Sequence, residues 1–350
     1  MADTLTEDAI VRALKAMGLS NADDAPKVEP LFGQDQWQTF KVCADGRSLL
    51  VRSADKESFA AADFYATTAA RYVPDFAAKV LGHDAERGIL VEAWPDPGEC
   101  KSLAREVLQE LSAGYSTPFR DGEVGNVDLE SLLWWVGEKI GMIHAGTRGF
   151  VPAGTDATAP ATPAGPPEPF SRAARSHPHL ANRLRGIAEA SARVDPVLLH
   201  GRLPGSVLFG GYHHAIIGPD RIASGDPAID LAHMMAHLFV ASVHQGSSIL
   251  VTSAGAFHKG YASMIEGFDK LAIMYRAGPL SVAFMLAFLE DEQVSPFLKP
   301  KDKDVILDFS QWWLARRDYT LGQVRSALWD VAEGVVDWRP EFESLPRADE

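Results

Sequence analysis

Cysteine is scarce, with only Cys43 and Cys100 in 350 residues. Two cysteines form at most one bridge, and this pair fits neither a disulfide framework nor a zinc-ligand spacing, so a reducing compartment is expected. Basic charge is in deficit as well. The chain has 33 Lys and Arg against 47 Asp and Glu, a formal charge of −14, and no basic cluster. Counterion release on nucleic acid or on an anionic membrane needs a clustered basic surface, so neither partner is expected. Long apolar runs are missing too. The opening MADTLTEDAIVRALKAMG carries acids where a secretory signal needs bases. The most apolar later stretch, Ala228 to Val243, is interrupted by Asp230, His233 and His237 and is too short to span a bilayer. A cytoplasmic protein is the expectation.

What is present is an ordinary globular composition, 46% hydrophobic, in a chain long enough for two lobes around a cleft. Thr6 to Met17 puts Ile10, Leu14 and Met17 on one helical face. QTFKVCA and SLLVRSA read as strands joined by Asp45-Gly46, a favoured two-residue hairpin turn. Lys56 to Arg71 is helical in composition, and FAAKVLGHD and GILVEAWPD give two further strands. After Pro95-Asp96-Pro97-Gly98 the pattern turns helical, over Cys100 to Gly114 and again over Leu129 to Thr147. Val151 to Pro169 is rich in Pro, Ala and Gly and reads as a linker or surface loop. Pro178 to Ala192 reads as a helix, PVLLHGRLPGSVLFGG with HHAIIG as a strand-loop-strand unit, and Asp226 to about Asp337 as helices.

This order, a small antiparallel sheet with one helix and then a helical lobe holding one short hairpin, is that of a bilobal protein kinase-like α+β fold. The segment VLLHGRLPGSVLF, then HAIIGPDR, then SGDPAIDLA resembles the catalytic region of the aminoglycoside phosphotransferase and choline kinase-like family, whose pattern is HGDxxxxN, IDxE and GDPxxDLA. IGMIHAG, LFGQDQWQTFKV, LLVRSA, GILVEAWPDPG and FHKGYASM resemble further motifs of that family in the same order. The resemblance implies an N-terminal lobe over 1–96, a helical C-terminal lobe over 97–350 with the catalytic loop in 197–232, and the loop 151–169 inside the second lobe. It also implies transfer of a γ-phosphoryl group from ATP or GTP to a hydroxyl of a small molecule.

The positions that would carry this chemistry depart from the pattern. Arg202 stands where the family has its catalytic Asp, and a guanidinium neither takes a proton nor ligates a metal. Ser206 falls on the Asn position and is a poor ligand for a hard cation, while Gly218 falls on the metal-binding Asp of IDxE and has no side chain. His200, Asp226 and Asp230 match positions that support the catalytic loop. Arg52 matches the basic phosphate ligand, Asp63 its acidic helix partner, Gly33 the nucleotide loop, and Glu92 the strand leading to the hinge. ATP or GTP is thus compatible with the upper half of the site, whereas Mg²⁺ lacks its usual ligands. The resemblance implies a degraded active site: a pseudokinase-type binding or regulatory protein, or a repurposed enzyme, with a small molecule or a protein as partner. The alternative is a working small-molecule kinase that recruits Asp220 or Asp226 for the metal.

Several residues keep two readings. Arg202 either fills the space of Mg²⁺ or binds an anion, or it pairs internally with Asp220 or Asp226. Asp220 is a substitute metal carboxylate or a turn residue. His213 and His214 are adjacent on a strand and point to opposite faces, so they do not make a metal pair. His144 is expected to pack between helices. His233, His237 and His244 share a helix face and form a helix surface or a ligand-pocket wall. Trp312 and Trp313 with Arg316 and Arg317 form a substrate wall or a core helix with a basic edge.

Overall fold

Asp45 and Gly46 adopt φ of 51° and 71°, the doubly left-handed turn that matches the twist of a tight hairpin. The architecture comes from a computed structural model, which describes residues 5–21, 26–30, 39–94, 101–109, 123–124, 127–151, 168–210, 213–219, 222–291, 294–316, 318–335 and 339. In chain order the elements begin with α1 (Glu7–Ala16), β1 (Lys27–Pro30), β2 (Thr39–Ala44), β3 (Arg47–Ser53), α2 (Lys56–Ala69), β4 (Val80–Asp84), β5 (Ile89–Trp94), β6 (Lys101–Ser102) and α3 (Leu103–Gln109). They continue with β7 (Glu123–Val124), β8 (Val127–Asp128), α4 (Leu129–Gly146), α5 (Glu168–Ser176), α6 (Ala181–Ser191), β9 (Val197–Leu199), α7 (Leu203–Ser206), β10 (Val207–Gly210) and β11 (His213–Ile216). Last come β12 (Ala223–Gly225), α8 (Ala228–Gln245), α9 (Ser248–Met264), α10 (Lys270–Phe288), α11 (Pro300–Leu314) and α12 (Leu321–Ala332).

The chain divides into two units. The first comprises Met1–Glu106, Gly125–Val127 and Gly205–Ile222, and the second Val107–Val124, Asp128–Pro204 and Ala223–Glu350. The first unit therefore extends beyond residue 96, taking in β6 and the β10–β11 hairpin. Lys101 and Ser102, expected to open a helix, instead pair with Phe209 and Leu208 of β10. Most of the Pro-rich stretch 151–169 lies outside the described residues, and its last two positions belong to α5.

In the first unit an antiparallel sheet runs in the order β1-β2-β3-β5-β4. Alternation along β3 and β5 sends Leu49, Val51, Ile89 and Val91 to one face, where Ile10, Ala13 and Leu14 of α1 cover them. Helix α1 is started by Thr6, whose hydroxyl accepts from the Ala9 N–H, with Glu7 and Asp8 in its first turn. Leu50 and Trp94 point to the other face and pack on Leu208, Ala215 and Ile217 of the β10–β11 segment. Arg52 and Glu92 lie on that same second face, because Leu50 pairs with Glu92 and Arg52 is two residues on. Helix α2, capped by Asp55 onto the Ser58 N–H, packs its Ala62 with Ala54 and Leu90.

In the second unit α4 and α9 cross with backbone in contact. A Cβ on Gly137 or Gly260 would collide with the Phe257 or Trp134 carbonyl oxygen, respectively. Helix α8 is buried around most of its circumference, and α10 packs against α8, α11 and α12. Helix α10 is long and apolar enough to pass for a membrane span, yet 67% of that window is buried against other helices, which marks it as a core helix.

Candidate functional site

The residues expected on the phosphate side, Arg52 and Glu92, are buried in the first unit. Arg52 is 3% exposed and Glu92 fully buried. Arg52 Nε donates to Glu92 Oε2 at 2.8 Å, and Arg52 Nη2 donates to the Gly218 carbonyl at 3.0 Å. Glu92 Oε1 accepts the Gly218 N–H at 3.1 Å. One charge pair thus reads both backbone groups of Gly218, and a guanidinium spread across a carboxylate and a carbonyl uses its planar fork well. The partner of Arg52 in this arrangement is Glu92 on β5, not Asp63, which sits on the exposed side of α2. Alternation on paired strands was the signal for Glu92, since the two residues are diagonal neighbours.

Gly218 is also pressed onto α2. A Cβ added there would lie 2.7 Å from both Cα and Cβ of Ala62 and 3.2 Å from its carbonyl oxygen. The φ of Gly218 is not positive, so the glycine is demanded by space and not by backbone conformation. The expected metal position thus lacks the room for any side chain. Ser206, the other position expected to correspond to a metal ligand, is buried, and its carbonyl accepts the Ile217 N–H at 3.0 Å.

The second unit holds the loop that would carry the catalytic residue. Asp230, fully buried on the first turn of α8, accepts from the His200 N–H and the Gly201 N–H, each at 2.7 Å. It also accepts from His144 Nε2 at 3.2 Å, while His144 Nδ1 lies 2.9 Å from the Tyr261 hydroxyl. With a carboxylate on Nε2, the ring places its N–H there, so Nδ1 accepts from the Tyr261 O–H. Burial pushes the Asp230 carboxyl up, but the hydrogen bond from His144 and the electrostatic influence of His144 and His200, with the His200 N–H, outweigh it and leave it below its ordinary value. The Tyr261 phenol is raised well above its usual range by burial and by the neighbouring charges of Asp230 and Asp226, so it stays a donor. Gly201 at φ 78° lets the chain turn here, and the Arg202 N–H donates to His200 Nδ1 at 3.3 Å.

Asp226 does something other than support the loop. Its Oδ2 accepts from Arg276 Nε at 2.7 Å and its Oδ1 from Arg276 Nη2 at 3.2 Å, with the Ala228 N–H also on Oδ1 at 2.9 Å. Both oxygens of this buried carboxylate are therefore engaged by one arginine from α10. Arg202 does not take this role: the guanidinium on Asp226 is that of Arg276, while Arg202 is exposed at the start of the loop. No pattern in the sequence marked Arg276, because it is remote in the chain and belongs to no motif. Gly33 and Asp220, along with Arg317, lie outside the described residues.

No protein-family profile matches the sequence, and no curated protein matches it. Solved structures do match. A choline kinase from Streptococcus pneumoniae aligns over 88% of this chain and 98% of its own, with TM-score 0.52 and 14% identity. A choline/ethanolamine kinase family protein from Mesorhizobium loti aligns over 94% of this chain and 100% of its own, with TM-score 0.51 and 16% identity. The chain has a choline kinase-like fold. An amicoumacin kinase, whose structure holds AMP-PNP and Ca²⁺, shares it with TM-score 0.51 and 11% identity over 89% of this chain and 96% of its own.

Among the described residues of this choline kinase-like fold, the positions expected to hold a divalent cation do not suit one, and Asp220 lies outside them. Among the described residues no three His, Cys, Asp or Glu side chains converge. Gly218 offers none, and the carboxylate of Asp226 is held by Arg276. His213 and His214 pair antiparallel with Gly210 and Phe209, as a hairpin wall requires. His144 packs between helices, and His244 lies 2.8 Å through Nδ1 from Asp302 of α11. Trp313 is buried, and the Arg316 guanidinium lies over the Trp312 ring, so this helix serves the core with a basic edge.

Proposed function

We propose that this chain is a kinase-fold binding or regulatory protein, acting in the cytoplasm, that has given up Mg²⁺-dependent phosphoryl transfer. The observation that carries this reading is the buried Arg52–Glu92–Gly218 arrangement seated on Ala62. The cation expected to steady phosphates is directed at an internal carboxylate, and the position expected to hold the metal has no room for a ligand. Phosphoryl transfer depends almost entirely on positioned charges around the phosphates. A chain with arginine at the base position and glycine at the metal position lacks two of them.

The test is thermal unfolding of the purified protein with ATP, GTP and ADP, each with and without Mg²⁺. A ligand at a hundred times its dissociation constant stabilises by about 2.7 kcal/mol, which a melting curve resolves. No Mg²⁺-dependent shift is expected with any of the three. A Mg²⁺-dependent shift accompanied by nucleotide turnover would overturn the reading in favour of a small-molecule phosphotransferase.

A further inference from the structure

The FHKGYASM segment of α9 uses Tyr261 in the His144 contact and leaves His258 and Lys259 without a role. Helices α9 and α12 of the second unit pass each other antiparallel. Ser248 at the start of α9 donates to Glu333, just beyond the end of α12, while Arg325, nearer the start of α12, reaches Gly255. Arg325 Nη1 lies 2.5 Å, and its guanidinium carbon 3.4 Å, from the point a Cβ would occupy on Gly255, so the missing side chain lets the guanidinium rest on the helix. Side chains on a helix lean back over the preceding turn, onto the i−3 and i−4 positions. Those of His258 and Lys259, three and four residues after Gly255, lean toward the turn on which Arg325 rests. Three basic side chains that no window of sequence groups together thus meet on one patch of α9.

Among the described residues no hydrogen bond or ion pair engages Arg325 or Lys259. The acids on the neighbouring elements are turned elsewhere. Glu138 of α4, whose backbone borders Gly260, pairs with Lys139 at 2.8 Å, Glu333 holds the Ser248 hydroxyl, and Asp330, five residues after Arg325, is off the face that i+3 and i+4 neighbours share. Arg and Lys are cations at neutral pH by their own chemistry. Burial first, and then Arg325 and Lys259, push the His258 imidazole down to about 4, so the ring is neutral there and offers one N–H. The patch is open to solvent: Lys259 is exposed, and His258 and Arg325 are half-buried. Trp329, one turn beyond Arg325 on α12 and leaning back toward it, is 43% exposed. Two cations without an internal acid, beside an N–H donor and an open indole, suit an anion with an apolar body.

We propose that Arg325, Lys259 and His258 form a binding site for a phosphate monoester whose organic group lies against Trp329. The guanidinium fork donates to two phosphate oxygens, the ammonium acts on the third as a point charge, and the His258 N–H adds a neutral hydrogen bond. Two cations match the charge of about −1.5 to −2 that a phosphate monoester carries at pH 7, which a carboxylate does not reach. The site goes beyond the reading above and shares no residue with the Arg52–Glu92–Gly218 arrangement or with the loop of His200 to Arg202.

The probes are phenyl phosphate, inorganic phosphate and benzyl alcohol, titrated into the full chain with ¹⁵N-labelled histidine and tryptophan at about 0.15 M salt, where exposed charges more than about 8 Å apart are screened. Phenyl phosphate is expected to shift the His258 ring and Trp329 indole signals saturably and to raise the melting temperature. Inorganic phosphate should move His258 alone and bind several-fold more weakly, and benzyl alcohol should move neither. Arg325→Gln and Lys259→Gln have no internal ion pair to break, so both should fold and each should weaken phenyl phosphate about tenfold through loss of a charge-assisted contact. Trp329→Ala should bring phenyl phosphate down to the affinity of inorganic phosphate. Absence of a saturable shift, benzyl alcohol binding as well as phenyl phosphate, phenyl phosphate binding unchanged in both charge variants, or its binding unchanged in Trp329→Ala overturns the proposal. None of these titrations contains nucleotide or Mg²⁺, so their failure leaves the proposed function standing, and a Mg²⁺-dependent shift in the earlier assay leaves this result standing.

Discussion

Gly218→Asp places a carboxylate where the sequence resemblance leads one to expect a metal ligand, and the structure says it should instead wreck the first unit. A Cβ at 218 would stand 2.7 Å from Cα and Cβ of Ala62, and a helix backbone cannot rotate out of the way as a side-chain tip could. Overpacking of this kind costs typically about 1–3 kcal/mol, and contact with backbone puts Gly218→Ala toward the upper end. Aspartate adds a second carboxylate beside Glu92, whose Oε1 already accepts the 218 N–H at 3.1 Å. An uncompensated buried charge adds roughly 3–5 kcal/mol. The sum approaches the whole stability of a typical domain, about 5–15 kcal/mol. Urea unfolding of the parent, Gly218→Ala and Gly218→Asp separates the two contributions: the alanine variant reports the steric part, and the difference between the variants reports the charge. Adding Ala62→Gly to Gly218→Ala should recover part of the loss, because the two sites couple directly. If Gly218→Asp were as stable as the parent and bound Mg²⁺, α2 would not be seated on residue 218 and the argument for a closed metal position would fail.

The other predictions concern the second unit. Arg276→Met strands the buried Asp226 carboxylate and should destabilise by about 3–5 kcal/mol. Most of that loss should return in the Arg276→Met/Asp226→Asn double variant, which removes the charge left behind; a double variant no better than the single one would show that the pair is not the cause. Asp230 titrates below its ordinary value of 3.8 in the folded chain, so its contribution is present above that value and fades as pH falls through the lowered one. The stability difference between the parent and Asp230→Asn should therefore be flat near neutrality and shrink on the acid side of 3.8. A difference that held constant into strong acid would refute the carboxylate as the source of loop anchoring.

The fold was legible because its signals were local. Asp45-Gly46 announced the hairpin, the alternation in SLLVRSA and GILVEAW announced two-faced strands, and the apolar spacing of Leu132, Val136, Ile140 and Ile143 announced α4. The hairpin after α7 was visible too, but not that it would pack on the sheet of the first unit. That depends on Leu50 and Trp94 meeting Leu208 and Ile217, a contact made across more than a hundred residues. The loop anchors were half legible. Asp230 and His144 stood in recognisable motifs, whereas the choice of Arg276 for Asp226 and of Glu92 for Arg52 is decided by tertiary geometry that no window of sequence contains. Asp63 was the reasonable acid by position on α2, and helix phase defeats it, because the buried face there is set by Ala62 and Tyr65.

Those two pairings show how the buried charges of this fold are held by protein groups alone. A fold that buries acids and bases without a divalent cation faces unbalanced buried charge, and a buried charge survives only if it is paired and hydrogen-bonded. In the first unit Arg52 is answered by Glu92, with the Gly218 backbone completing both. In the second, Asp226 is answered on both oxygens by Arg276, and Asp230 by two backbone N–H groups and His144. Each of these contacts closes within its own unit. The same closure sets the cost of reversal. Placing a carboxylate at one of these positions adds a charge beside groups that are already paired, so a single change at 202, 206 or 218 should lower stability or do nothing before it could confer metal binding.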